Sequence, residues 1–119
     1  MTTQQIADRL VSLCKNGDYA TAQTELYADN ATSTELHESP AFEKVTTGKH
    51  KIFEKGEKFR SMIETLHATD VSAPLVTDRF IVMKLMLDAT MKGRPREKME
   101  ELCLYEVKDG KIVAEQFFM

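Results

Sequence analysis

The chain has 119 residues, of which 42% are hydrophobic and 29% charged, and its formal net charge is −3. This size and composition are typical of one globular domain and exclude a disordered or collagen-like chain. Basic and acidic residues are interspersed, and no apolar run approaches about 20 residues, so neither nucleic acid nor a membrane is an expected partner. We therefore expect one domain over residues 1–119, and the lack of a signal-peptide pattern favours a cytoplasmic location.

A helical hairpin is predicted at the N-terminus. Thr2 and Gln5 can form a capping box, and apolar residues then repeat at helical spacing up to Cys14. Asn16 and Gly17 provide a stop, after which Asp18 can cap a second helix. We expect this second helix to extend through Tyr27.

A short strand, a loop and a third helix are predicted next. Residues 31–36 are small and rich in threonine, which favours a strand, and residues 39–48 have the composition of a loop. Thr47 can cap a helix that begins near Lys49, and the apolar spacing continues as far as Leu66. The charged residues of this helix, including Lys49, Lys51, Lys55, Lys58 and Arg60, are interpreted as a solvated face.

The second half of the chain is predicted to form strands. The segments 67–73, 79–91, 97–108 and 111–118 have strand-like composition, and residues 92–95 have that of a turn. Asp109-Gly110 is typical of a type I′ hairpin turn. Helices followed by an antiparallel meander indicate an α+β fold in which three helices pack on a curved, mainly antiparallel sheet.

Both faces of the predicted sheet are apolar. A sheet with one face in water would carry a cleaner polar face. The outer sheet face is therefore predicted to contact a second copy, giving a homodimer. One face carries Ile81, Met83, Leu85, Leu87 and Ala89 from one strand, with Met99, Glu101, Cys103, Tyr105 and Val107 from the next. The opposite face carries Phe80, Val82, Met86, Leu102 and Leu104.

Three motifs resemble the NTF2-like superfamily in its SnoaL-like and ketosteroid-isomerase-like branches. They are LYADNAT at 26–32, GK at 48–49 and DGKIV at 109–113, and their order and spacing match over nearly the whole chain. The resemblance implies a conical (cystatin-like) fold with a pocket between helices and sheet. It implies no single activity, because this superfamily contains isomerases, cyclases, hydrolases, dehydratases and proteins that only bind or dimerise.

The resemblance to ketosteroid isomerases implies a carboxylate base and two oxyanion donors. The base position falls on Glu35, which could accept a proton. The tyrosine position falls on Leu10 and the aspartic acid position on Cys103, so both donor positions lack a suitable side chain. Because oxyanion stabilisation is usually the largest catalytic contribution, steroid-type isomerisation is not expected.

The resemblance to the cyclase branch implies an aromatic residue followed by an acid on the last strand. Gln116 stands at the aromatic position and Phe117 at that of the acid. Strand alternation places Glu115 on the face opposite Ile112 and Gln116. Glu115 is therefore expected on the surface or in an interface.

The polar candidates for the pocket are few. Strand alternation places Glu101 on the same face as Met83, Met99 and Cys103. A charged carboxyl group is costly in such surroundings unless it is protonated or paired. Glu101 is therefore either an acid of the pocket or a structural group whose charge is paired or solvated. Tyr105 and Gln116 either orient a ligand or hydrogen-bond each other in a filled core. The other predicted ligand contacts are His37, Phe59, Met83, Met99 and Cys103.

No cofactor or metal is expected. The histidines have no second ligand at helical or strand spacing, and Cys14 and Cys103 lack a CxxC spacing and are interpreted as buried free thiols.

Three functional hypotheses follow. In the first, the domain binds a small apolar molecule with no reaction. In the second, it is a cofactor-independent isomerase or cyclase in which Glu35 or Glu101 transfers the proton. In the third, the cavity is closed and the domain only dimerises.

Overall fold

Three helices lie in the first half of the chain. The computed structural model describes residues 1–119, and its helices are α1 (Thr3–Lys15), α2 (Tyr19–Leu26) and α3 (Lys49–Ser61). The Thr2–Gln5 capping box and the Asp18 cap are both present, which confirms the predicted starts of α1 and α2. In each case a side-chain oxygen accepts a hydrogen bond from an N–H group that has no partner within the helix.

Seven strands form one curved sheet, which confirms the predicted α+β architecture. The strand order is β2-β1-β7-β6-β5-β3, with β4 paired to β5. Only the β1–β7 pairing is parallel. The strands are β1 (Tyr27–Thr34), β2 (Val45–Thr47), β3 (Ile63–Val71), β4 (Leu75–Val76), β5 (Phe80–Met91), β6 (Arg96–Lys108) and β7 (Lys111–Phe118).

The core lies between the helices and the inner face of this sheet. Asp109 and Gly110 have φ values of 52° and 75°, as a type I′ turn requires, and join β6 to β7. The alternation predicted for β5 and β6 is present. The largest fully buried side chains include Ile6, Leu10, Leu26, Ile52, Ile81, Met83, Cys103 and Ile112.

The third helix ends earlier than its apolar spacing predicted. It ends at Ser61, and Ile63 begins β3, so Leu66 lies on a strand and is 49% exposed. Ile63 pairs with Met91 and Leu66 with Ala89 on β5. Spacing alone could not identify this boundary, because the ladder to β5 supplies the backbone hydrogen bonds that the helix would otherwise provide.

The segments around β1 also differ from the prediction. Tyr27 is the first residue of β1 rather than the end of α2, and β1 ends at Thr34. Part of the predicted loop forms β2, which pairs with β1. Thr47 does not cap α3: the cap is Gly48, with φ of 101° and no side-chain hydrogen bond.

A β-bulge interrupts the alternation of β7. Glu106 pairs with Ala114, but Val107 pairs with Ile112, so Val113 is an extra residue on β7. As a result Ile112 and Glu115, three residues apart, both point inward and are buried. The expectation that Glu115 lies on the surface or in an interface was therefore wrong, because it assumed strict alternation.

No helix in the structure is both long enough and apolar enough to cross a membrane.

Candidate functional site

A cavity of about 410 Å³ lies between the helices and the inner face of the sheet. Hydrophobic residues make up 17 of the 27 that line it, so most of its wall is suited to apolar ligand surface. Its volume falls within the range of small-molecule sites.

The structure brings together seven of the nine residues predicted for the site, and leaves two outside the cavity wall. Cys103 is fully buried behind the wall. Gln116 pairs with Leu104 on the outer face, because the bulge at Val113 shifts it away from the cavity. The lining residues among those predicted are Glu35, His37, Phe59, Met83, Met99, Glu101 and Tyr105.

The cavity has an opening to solvent. Five residues line the cavity and are also exposed: Gly17, His37, Ser39, Leu66 and Met119. Residues that combine these two properties must lie at the opening. His37 is therefore a residue of the cavity mouth.

Glu101 projects from β6 into the apolar part of the cavity. Its neighbours across the ladder and along the strand are Leu85, Met99 and Cys103, and the Cys103 thiol is 3.8 Å from its Oε1. No basic side chain forms a salt bridge with it. Burial, assisted by the negative charge of Glu35, raises the pKa of Glu101 to about 7. This carboxyl group can therefore donate or accept a proton near neutral pH.

Glu115 lies in the same cavity wall but is fully hydrogen-bonded. The Tyr27 hydroxyl donates to its Oε1, and the Ser33 hydroxyl donates to its Oε2 at 2.6 Å. Burial raises the pKa of Glu115, while the hydrogen bonds from Ser33 and Tyr27 oppose that rise. The same environment raises the pKa of Tyr27 well above its ordinary value, because its phenolate would be desolvated beside a carboxylate.

Lys55 extends this network to the cavity. Its Nζ lies 2.7 Å from Glu35 Oε1 and 2.9 Å from Ser33 Oγ, and 5.6 Å from the centre of the Phe117 ring. Its side chain is only 13% exposed. The interpretation of the α3 charges as a solvated face was therefore wrong for Lys55.

Sequence reasoning missed Lys55, Ser33, Tyr27 and Glu115 as members of one network. A signal for Lys55 was present: it lies three residues after the buried Ile52 and four before Phe59, which is the spacing of one helix face. Ser33 likewise shares a strand face with the buried Ala31. Glu115 gave no such signal, since only the bulge turns it inward.

The structure contains no group of three or more His, Cys, Asp or Glu side chains that could hold a metal ion. The ionisable groups on the mostly apolar cavity wall include three carboxyl groups, the Lys55 ammonium group, the Arg60 guanidinium group and the His37 imidazole. Such an arrangement can bind an apolar body by burial, hydrogen-bond its polar atoms and exchange a proton.

Solved structures share this architecture. A protein from Mesorhizobium loti, provisionally described as a SnoaL-like polyketide cyclase, is 33% identical over 100% of both chains, with a TM-score of 0.92. An NTF2-like protein from Burkholderia thailandensis has a TM-score of 0.83 at 15% identity, covering 99% of this chain and 90% of its own. At 15% identity the similarity concerns the fold alone. Comparison with curated proteins gives no match.

The family model of the SnoaL-like domain matches residues 1–119. This match and the Mesorhizobium structure agree with the fold described above. The chain therefore belongs to the SnoaL-like domain family, within the NTF2-like fold.

Proposed function

We propose that this SnoaL-like domain binds a small, mostly apolar molecule in its cavity, with the Glu101 carboxyl group as a polar contact. The observation that carries this proposal is the open cavity of about 410 Å³, whose wall is mostly hydrophobic and contains one half-buried acid, Glu101, that forms no salt bridge. Burying apolar ligand surface is worth roughly 25 cal/mol per Å² before the costs of association are subtracted.

Binding can be tested with 2-ethylnaphthalene as the probe, followed by amide chemical shifts in NMR titrations. We expect saturable shifts at residues that line the cavity. Leu87→Trp adds volume to the cavity wall and should abolish binding, whereas Met86→Trp places the same ring on the opposite face of β5 and should not. Unchanged binding in Leu87→Trp, or shifts confined to the outer face, would contradict the proposal.

A second candidate function is cofactor-independent proton transfer, as in an isomerase or cyclase. The observation that favours it is the pKa of Glu101, which lies near 7 and thus near the value that serves a general acid or base at neutral pH. Glu35 is a weaker candidate because its Oε1 forms a salt bridge with the Lys55 ammonium group at 2.7 Å.

This candidate can be tested by α-proton exchange of 2-tetralone in D₂O, a reaction that needs only a base and a bound ketone. We expect faster exchange in the presence of the protein, with a rate that rises through about pH 7, and a large loss in Glu101→Gln. Equal rates in Glu101→Gln and the unmodified protein would remove Glu101 as the base.

We further infer that the outer sheet face contacts a second copy of the chain. Leu75, Val82 and Leu104 form a continuous row across three paired strands, with Leu102 in the neighbouring row. Leu75 is 76% exposed and Leu102 50% exposed, and grouped apolar side chains on a surface can mark a protein contact.

Light scattering can test this dimer. Leu102→Glu should give a monomer at micromolar concentration, because it places a charge in the proposed interface. Leu66→Glu is the matched control, since Leu66 is 49% exposed but lies at the cavity mouth. A dimer that persists in Leu102→Glu would contradict the proposed interface.

A further inference from the structure

We propose that Lys55 binds an acceptor oxygen of the ligand, so that the ligand class is an apolar molecule with a carbonyl or carboxylate group. This inference rests on the proposed binding function and adds a second polar contact to it. The predicted oxyanion positions at Leu10 and Cys103 carry no donor, and Lys55 supplies one from a different element, α3.

The Lys55 ammonium group has one hydrogen-bond donor without a protein partner. An ammonium group has three N–H donors and no acceptor. Two of them have partners in the structure, Glu35 Oε1 at 2.7 Å and Ser33 Oγ at 2.9 Å. One donor remains, on a residue that lines the cavity.

The Lys55 ammonium group is held in position by its hydrogen-bond network. Ser33 donates its hydroxyl hydrogen to Glu115, so its oxygen is left to accept from Lys55. Glu115 is itself fixed by the Tyr27 hydroxyl. The Lys55 Nζ is thus anchored to β1 directly and to β7 through Glu115, and it loses little freedom when a ligand binds.

The charges around Lys55 indicate which oxygen group it would bind. Glu35 neutralises the Lys55 charge, so the ligand oxygen does not need to be anionic. A hydrogen bond from an ammonium group is nevertheless stronger than one from a neutral donor. The cavity wall carries three acids, Glu35, Glu101 and Glu115, and two strong bases, Lys55 and Arg60. This balance favours a neutral carbonyl over a carboxylate and makes preferential binding of an amine the competing outcome.

The test compares two neutral probes of nearly equal size, 2-acetylnaphthalene and 2-ethylnaphthalene, which differ in one carbonyl oxygen. In Lys55→Met we expect the ratio of their Kd values to shift about tenfold against the acetyl compound, the effect of one charge-assisted hydrogen bond. Lys51→Met, an exposed lysine of the same helix, should leave the ratio unchanged. A change in folding alone would not alter this ratio.

Three results would overturn the proposal. One is an unchanged ratio in Lys55→Met, and another is a ratio that changes only in Glu101→Leu, which would assign the oxygen to Glu101. The third is tighter binding of 2-(aminomethyl)naphthalene than of the acetyl compound. The double variant Lys55→Met/Glu35→Gln conserves the net charge of the pair and serves if the single variant does not fold. Failure of both neutral probes to bind the unmodified protein would contradict the binding function itself as well.

Discussion

Two carboxyl groups in one cavity wall have opposite surroundings. Glu115 accepts hydrogen bonds from Tyr27 and Ser33, and through Ser33 it contacts Lys55. Glu101 lies among Leu85, Met99 and Cys103 and has no basic partner. The same residue type is therefore held by two hydroxyl donors on one side of the cavity and has only a weak thiol donor on the other. Partners, and not burial alone, decide which role a buried acid can have.

Removing each acid in turn should give the largest difference in stability between Glu115 and Glu101. Glu115→Leu should destabilise the fold by about 3 kcal/mol, because it leaves the Tyr27 and Ser33 hydroxyls buried without an acceptor. Glu101→Leu should be neutral or stabilising above pH 7, because it removes only the weak hydrogen bond from the Cys103 thiol. Urea denaturation at pH 8 measures both. Equal losses for the two variants would show that the surroundings do not distinguish the acids.

Acidity gives a second, smaller contrast. The pKa of Glu101 is raised from 4.5 to about 7 in the folded state, so the folded protein binds more protons than the unfolded chain between these values. The stabilising contribution of protonated Glu101 is complete below pH 4.5 and is lost as the pH rises through about 7. From pH 5 to pH 8 the unmodified protein should lose about 2 kcal/mol more stability than Glu101→Gln. Parallel urea denaturation curves across this range would contradict the assignment.

The network around Glu115 can be weakened without removing the acid. Tyr27→Phe deletes one hydroxyl donor and should cost about 1 kcal/mol, the usual value of a single hydrogen bond. Tyr19→Phe is the matched control, because Tyr19 lines the same cavity but takes no part in this network. Thermal unfolding should separate the two variants, and a larger loss in Tyr19→Phe would place the stabilising contact elsewhere.

The smallest effect concerns the helix that carries Lys55. Gly56→Ala should stabilise the fold by about 0.5 kcal/mol, because alanine is the better helix former. A Cβ there would approach Arg60 Nη1 at 3.3 Å, a contact that the flexible Arg60 side chain can relieve. The pH dependence of stability should not change, since Gly56 carries no titratable group. Chemical denaturation checks both points, and a net destabilisation would mean that Arg60 cannot move.

The parts of the fold that local rules govern were predictable. The capping box of α1, the Asp18 cap and the Asp109-Gly110 turn each depend on residues a few positions apart, and all three are present. The inward faces of β5 and β6 followed from period-two alternation. Glu101 was singled out as a pocket residue for the same reason, because β6 has no bulge before it.

The features that depend on the register between strands or on helix–sheet packing were not predictable. The end of α3 at Ser61 is set by the ladder between β3 and β5, and the inward turn of Glu115 is set by an extra residue opposite β6. Lys55 required knowledge of which face of α3 covers the cavity. For α3 and Lys55 the deciding partner lies more than 20 residues away in the chain, whereas the bulge depends on the register within the β6–β7 hairpin.

The extra residue at Val113 also determines which side chains of β7 point into the cavity. With the bulge, the inward residues are Ile112, Glu115 and Phe117. Without the bulge, strict alternation of the same sequence would turn Ala114 and Gln116 inward instead. One inserted residue thus exchanges an amide for an acid inside the cavity without any substitution. A change in strand length by one residue can therefore change the interior chemistry of this fold as much as a substitution would.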